Sequence, residues 1–299
     1  MNSNEVIRWK SEVLDEVFAA LAADKEIEEC LVFKGARVLN ARLGGGRQSL
    51  DLDSNLMSKF VERYPVREDQ RTYLERTIRR AIDRHFQRQN PVKFELKGIL
   101  VNTYPPKAHP MGWDAFNVKL RIEDLTRAGV RGLPSIEIDV AAPEELSEAS
   151  IAPLTIGMHT ACAYTLERIA GEKLRAFLSS LPAYRAKFLK PGESVRVKDL
   201  YDLARIQRVI PLDRIDFWHA VGREFLMACR SRSIDCLGLE TFLEQWEITS
   251  ATYVKDPTIP QDISVDEALT TLRGIVEFLS LKGIIPFDHP VPSFNTHRS

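Results

Sequence analysis

Residues 47–53 read Arg47-Gln48-Ser49-Leu50-Asp51-Leu52-Asp53. From Leu50 onward apolar and acidic residues alternate, the period of a half-buried strand, so the two leucines face a core and both aspartates share the opposite face. Two residues along a strand span about 6.6 Å between Cα atoms, and both carboxylates open into one space that a cation can bridge. Magnesium takes hard oxygen ligands at about 2.0–2.1 Å, commonly one or two carboxylates completed by substrate phosphates. An isolated DxD is more often a solvated strand face, so its surroundings decide its meaning.

Upstream, Cys30-Leu31-Val32-Phe33 is a short apolar run ended by Lys34-Gly35, and Val38, Leu39 and Leu43 mark a short helix running into Gly44-Gly45-Gly46. A glycine at a strand-to-helix turn offers backbone N–H groups at the positive end of a helix dipole, where phosphate is favoured. The triple glycine is a flexible turn at least as readily as a phosphate loop, because no GK[ST] follows it. Downstream, Ile136-Glu137-Ile138-Asp139-Val140 alternates again and turns Glu137 and Asp139 to one face, so a third carboxylate is available. Three carboxylates, a phosphate-cradling turn and two magnesium ions are what an in-line nucleotidyl transfer needs: one metal activates the attacking oxygen and the other neutralises the triphosphate and leaving pyrophosphate. A calcium reading competes, since Asp51, Asp53, Asn55 and Glu62 match EF-hand ligand positions, but Leu56 stands where that loop needs glycine.

The rest of the chain supplies the scaffold. Val6, Trp9, Val13, Val17 and Leu21 form an opening helical stripe, and Leu74, Ile78, Ile82 and Phe86 form a second over residues 68–88, backed by Arg76, Arg80, Arg84 and Arg88. That arginine stripe reads first as a solvated face and second as an RNA-phosphate track. Alternating stretches around Phe94, Phe116–Ile122 and Ile136–Val140 read as strands of one sheet. After Pro153 the pattern turns mostly helical, with candidates near 165–181, 197–209, 213–231, 239–247 and 265–282, followed by an irregular proline-containing tail. Strands in the first half and helices in the second indicate an α+β fold with a domain over residues 1–158 and a helical domain over 159–299.

Composition limits the partners. Of 299 residues, 41 are basic and 42 acidic, a net charge of −1, so bulk charge does not hold this protein on nucleic acid and any RNA contact must be patterned. Cys30, Cys162, Cys229 and Cys236 show neither CxxC nor zinc spacing and read as small core residues, and the histidines show no paired spacing. The N-terminus lacks a signal-peptide pattern and no apolar run reaches the ~20 residues that span a bilayer, so a soluble, cytoplasmic protein without membrane partners is expected.

An apolar residue and glycine, a DxD strand and a distal Asp on its own strand resemble the DNA polymerase β-like nucleotidyltransferase superfamily. Phe33-Lys34-Gly35 through Leu39, Arg47 through Asp53, Glu172-Lys173-Leu174-Arg175-Ala176 and Lys198-Asp199-Leu200-Tyr201-Asp202-Leu203 are similar to the four successive motifs of the AbiEii/AbiGii toxin family, which includes the mycobacterial MenT toxins. The resemblance implies a bilobed, mixed-sheet nucleotidyltransferase whose helical lobe completes the active site. It further implies a type IV toxin using a nucleoside triphosphate and Mg²⁺, with RNA, specifically a tRNA 3′ end, as acceptor. Its antitoxin is expected to counteract it without a stable complex. Family roles place Asp51 and Asp53 as metal ligands with Asp139 as the third, and Gly35, Arg37, Arg47 and Ser49 around the nucleotide. They place Lys173 on the triphosphate and Asp199 as an essential acid, although without the resemblance both read as a solvated helix face. The chain departs from the family's Gly-Gly-Ser or Gly-Gly-Thr with Gly35-Ala36-Arg37, and near the end of the Lys173 motif it has Ser180 in place of a basic residue. The first departure motivates an alternative, a non-catalytic nucleotide- or RNA-binding module; a protein or small-molecule acceptor is another.

Overall fold

A computed structural model of the chain describes residues 3–107, 114–127, 132–181, 196–236, 238–239 and 246–287. Its internal packing divides it into two compact units: Met1–Pro143 with Ile151–Tyr164, and Glu144–Ser150 with Thr165–Ser299.

The first unit is built on a seven-stranded mixed sheet. In chain order its elements are α1 (Ser3–Ala22), α2 (Lys25–Cys30), β1 (Leu31–Lys34), α3 (Gly35–Leu43), β2 (Leu52–Leu56), α4 (Ser58–Arg63), α5 (Arg67–Gln87), β3 (Phe94–Tyr104), β4 (Ala115–Asp124), β5 (Ile136–Ala141), β6 (Ile151–Ile156) and β7 (His159–Tyr164). The strand order is β3-β4-β5-β2-β1-β7-β6. β2 runs parallel to β5 and β1 parallel to β7, while the remaining neighbours are antiparallel. Strict alternation on β4 buries Phe116, Val118, Leu120 and Ile122; α5, buried through Leu74, Ile78 and Ile82, packs on β3, and α1, buried through Trp9, Val13 and Val17, packs on α5 and β5. The indole N–H of Trp9 donates to Asp124 Oδ2 at 3.1 Å, satisfying a buried donor that would otherwise cost more than the bond gains.

Two features differ from the sequence expectation. The stretch after Pro153 is a β6–β7 hairpin before it is helical, and residue 158 lies in its turn. Small residues such as Ala161 and Ala163 mask the strand pattern, and Pro153 is tolerated because β6 is the sheet's edge. Short helices α2 and α4 fall below the length at which periodicity is readable.

The second unit is helical: α6 (Leu166–Leu178), α7 (Val197–Val209), α8 (Ile215–Ser231), α9 (Trp246–Lys255) and α10 (Val265–Leu281). Most of the 239–247 candidate and the tail from 288 lie outside the described residues. α9 was not anticipated because only Thr249 and Tyr253 form its buried stripe. Segment Glu144–Ser150 belongs here through a buried ion network: Arg168 donates to Glu144 Oε2 at 2.7 Å and to Glu224 Oε2 at 3.4 Å, while Ser150 Oγ lies 2.9 Å from Glu224 Oε2. All four cysteines are free thiols; Cys30, Cys229 and Cys236 are buried and Cys162 is half-buried. Among the described residues, no helix is long and apolar enough to cross a membrane.

Helices α6 and α8 approach so closely at Gly171 that a Cβ there would lie 2.6 Å from the backbone nitrogen of Phe225. Gly171→Ala is expected to destabilise this unit by about 1–3 kcal/mol, the usual cost of overpacking against backbone, read as a lower midpoint in urea unfolding. An unchanged midpoint would show that the two helices separate freely.

Candidate active site

β1 ends at Lys34 in extended backbone, and Gly35 then opens α3 at φ +78°. A Cβ at Gly35 would sit 2.0 Å from Oδ2 and 2.7 Å from Cγ of Asp53, so any side chain there would collide with that carboxylate. Glycine is required twice over, by the left-handed φ and by the contact. Lys34, the N-cap of α3, makes no capping side-chain hydrogen bond.

Strand register aligns the polar groups. Lys34 pairs with Asp53 across β1 and β2, Asp53 with Asp139 across β2 and β5, Asp139 with Asn117 across β5 and β4, and Asn117 with Asn102 across β4 and β3. Asp51, just before β2, completes a cluster in which one ligand atom each from Asp51, Asp53 and Asp139 lies within 4.8 Å of the others. Ligands on an octahedral cation at about 2.1 Å lie about 3.0 Å apart when adjacent and about 4.2 Å when opposite, so these oxygens are near enough to converge on one ion. An all-carboxylate donor set suits a hard divalent ion. Ser49 Oγ donates to Asp51 Oδ1 at 3.0 Å, and Asn117 Nδ2 donates to Asp139 Oδ1 at 2.7 Å, each fixing a rotamer. Asn117 was not anticipated; its signal was its place opposite Asp139 on an alternating strand.

The remaining turn residues are structural in their contacts. Arg37 is buried: its guanidinium pairs with Asp15 of α1, and Nη2 donates to the Ser49 carbonyl at 2.8 Å. Burial lowers the Arg37 pKa against the pull of Asp15 and Asp51. Asn40 Nδ2 donates to the Arg47 carbonyl at 2.8 Å, and Gly44 and Gly45, at φ +71° and +86°, close α3 and turn the chain toward Arg47. The triple glycine is thus a helix stop. Asn55 does not match a calcium loop, since it is buried with Nδ2 on the Tyr164 hydroxyl at 2.9 Å. In the arginine stripe, Arg80 bonds Asp24 at 2.8 Å and Glu26 at 2.5 Å, tying α5 to α2.

In the helical unit, Lys173 on α6 and Asp199 on α7 are not a solvated face. Lys173 is 7% exposed and Asp202 0%. Lys173 Nζ lies 3.0 Å from Asp199 Oδ1 and 2.6 Å from Asp202 Oδ2, and Arg196 holds the other oxygen of Asp199. Asp202, which sequence reasoning gave no site role, makes the shorter of these two contacts. Its signal was the i, i+3 spacing from Asp199, which puts both acids on one helix face. Burial raises the Asp199 carboxyl pKa, but Lys173 and Arg196 outweigh burial and hold it below its ordinary value. Ser180, where the family often carries a basic residue, bonds the Phe177 carbonyl at 2.7 Å.

Two outcomes follow from this geometry. Gly35→Ala should displace the Asp53 carboxylate, weakening Mn²⁺ binding at least about tenfold in a calorimetric titration and costing about 1–2 kcal/mol for the left-handed φ; wild-type Mn²⁺ affinity would refute the contact. Because the folded pKa of Asp199 is depressed, its stabilisation is present above the ordinary value of 3.8 and is lost as pH falls toward the folded value. Asp199→Asn should therefore cost about 3 kcal/mol near pH 7, where Lys173 keeps only Asp202, and flatten the loss of stability below pH 4, measured by urea unfolding across pH.

No protein of curated function matches the chain significantly. Among solved structures, a Helicobacter pylori protein provisionally assigned as a nucleotidyltransferase aligns with TM-score 0.52 at 15% identity, covering 94% of this chain and 97% of its own. JHP933 from Helicobacter pylori aligns with TM-score 0.52 at 16% identity, covering 95% of this chain and 97% of its own. These likenesses establish the fold. The family model described as nucleotidyl transferase AbiEii toxin, type IV toxin–antitoxin system, matches residues 17–271. With most of the chain so matched, this protein belongs to the AbiEii family of nucleotidyltransferase toxins of type IV toxin–antitoxin systems.

Proposed function

We propose that the protein transfers a nucleotide from a nucleoside triphosphate to RNA, with a tRNA 3′ end as acceptor and Mg²⁺ as the metal. One observation carries this reading: Asp53 is pressed against the glycine that opens α3 while it shares one cluster with Asp51 and Asp139. Phosphate cradle and metal ligands are therefore neighbours, as phosphoryl chemistry requires. When bound, Mg²⁺ supplies charge neutralisation at the triphosphate and activation of the attacking oxygen.

The chain's own groups do the positioning. Backbone N–H groups at the head of α3 receive phosphate oxygens beside Gly35. Ser49 and Asn117 hold Asp51 and Asp139 in ligand geometry, while Arg37 braces the Ser49 carbonyl from below. Since Arg37 points into Asp15 and the wall, replacing the family's small hydroxyl leaves the backbone cradle open, which favours turnover over a silent binding module. Arg47 acts through its backbone, whose carbonyl is held by Asn40. Lys173 is assigned to the triphosphate and Asp199 to orienting Lys173. In the reaction the acceptor hydroxyl oxygen bonds to the α-phosphorus, the bond to the bridging oxygen breaks, and pyrophosphate leaves as the hydroxyl proton is lost. The protein works in the cytoplasm, and its antitoxin neutralises it without a stable complex.

Incubation of total tRNA with each labelled triphosphate and Mg²⁺ should give incorporation that chelation abolishes and Asp51→Ala reduces to background. Incorporation unchanged in Asp51→Ala would overturn the metal site, and absence of incorporation into any RNA would overturn the acceptor class.

A further inference from the structure

Beside the carboxylate cluster, on the open face of β3, β4 and β5, lies a cavity of about 570 Å³ whose wall includes Asn102, Tyr104, Asn117, Lys119, Glu137 and Asp139. It shares Asp139 with the proposed metal site, and Asn117 bonds that same carboxylate at 2.7 Å. Tyr104 is 63% exposed at its rim, an aromatic ring left to solvent at the end of a long strand. Such a ring on an open sheet face is well placed for stacking.

The order of groups across the sheet says what enters this cavity. From β1 to β3 the face presents the Gly35 turn, then Asp53, then Asp139, then Asn117 and Asn102. In-line displacement places the attacking and leaving oxygens on opposite sides of the phosphorus. With the leaving pyrophosphate on the Gly35 side, the attacking hydroxyl must approach from the Asp139 side, where the cavity lies. Resting on the transfer reading above, we infer that this cavity is the acceptor subsite and that it takes the unpaired terminal nucleotide of a single-stranded RNA end. Tyr104 stacks the base, because an unpaired base offers a π-face that a paired one keeps inside its helix. The amides of Asn102 and Asn117, each bearing donors and an acceptor, read base or ribose edges. Lys119, 3.9 Å from Glu137, lies close enough to the cavity to meet the preceding phosphate.

The test measures binding and turnover separately. Fluorescence anisotropy of a labelled single-stranded RNA 12-mer, and of a blunt duplex of the same sequence, is followed for wild type, Tyr104→Ala and Tyr104→Phe. Tyr104→Ala should weaken single-strand binding about 5- to 150-fold, the range for losing one stacked base. It should raise the acceptor KM in parallel and leave the triphosphate KM unchanged, and Tyr104→Phe should restore both. Because Tyr104 is exposed, the thermal midpoint should not move. Wild-type affinity and acceptor KM in Tyr104→Ala, no single-strand binding by the wild type, or a duplex bound as tightly as the single strand would each overturn the subsite. If no nucleotide is incorporated but Tyr104→Ala still loses the single strand, the subsite stands and the transfer reading falls. If incorporation proceeds and Tyr104→Ala changes nothing, the reverse holds.

Discussion

The pairing of β2 between β1 and β5 is the constraint from which the site follows. Antiparallel pairing sets Asp53 opposite Lys34, and parallel pairing sets it beside Asp139. A slip of one residue would turn Asp53 into the core and Leu52 into water, reversing every side chain on the strand. Leu52 and Leu56 are buried, as are all three apolar residues of β1, so the hydrophobic term resists that slip from both sides. Gly35 is the local consequence. Once register brings Asp53 to the mouth of α3, the position before Ala36 has no room for a Cβ.

Buried charge makes a second kind of constraint. Lys173 with Asp199 and Asp202, and Arg168 with Glu144 and Glu224, remove both partners from water, while Arg37 is buried against an Asp15 that stays exposed. Desolvation offsets much of the attraction in such pairs, so they add little net stability, yet losing one partner is costly. Their effect is to allow one arrangement only. Arg37 fixes where Ser49 sits, and Ser49 fixes Asp51. Arg168 fixes a loop segment, 144–150, onto the helices that follow it much later in the chain.

What the sequence revealed depended on period and on residue type. Long amphipathic stretches such as Val197–Val209 and alternating ones such as Ile136–Val140 are legible because burial of one face imposes the pattern. The β6–β7 hairpin is not, since small buried residues such as Ala161 and Ala163 leave β7 little apolar alternation to read. Asp53 and Asp139 were legible because each sits two residues from another acid on an alternating strand, and Asp51 because it keeps that spacing just ahead of β2. The roles of Arg37 and Asp202 were hidden for the opposite reason: a charged residue in a helix is ordinarily solvated, and only partners distant in sequence show that these are buried. Tyr104 was hidden as well, because exposure of one aromatic is a property of the folded face.

The near-zero net charge acquires meaning at the carboxylate cluster. At an effective dielectric of about 20, two full charges 4.8 Å apart repel by about 3.5 kcal/mol, less where water screens them as it does at Asp139. Three such groups oppose one another in the folded protein; Ser49 and Asn117 are neutral, while the Arg37 guanidinium attracts Asp51. The fold holds them together nonetheless, because Asp53 and Asp139 are fixed by strand register and Asp51 by the turn that Arg37 braces. Carboxylates held together through backbone geometry form a donor set that suits a multivalent cation. The sum of −1 thus conceals a local grouping of three carboxylates beside the Gly35 turn.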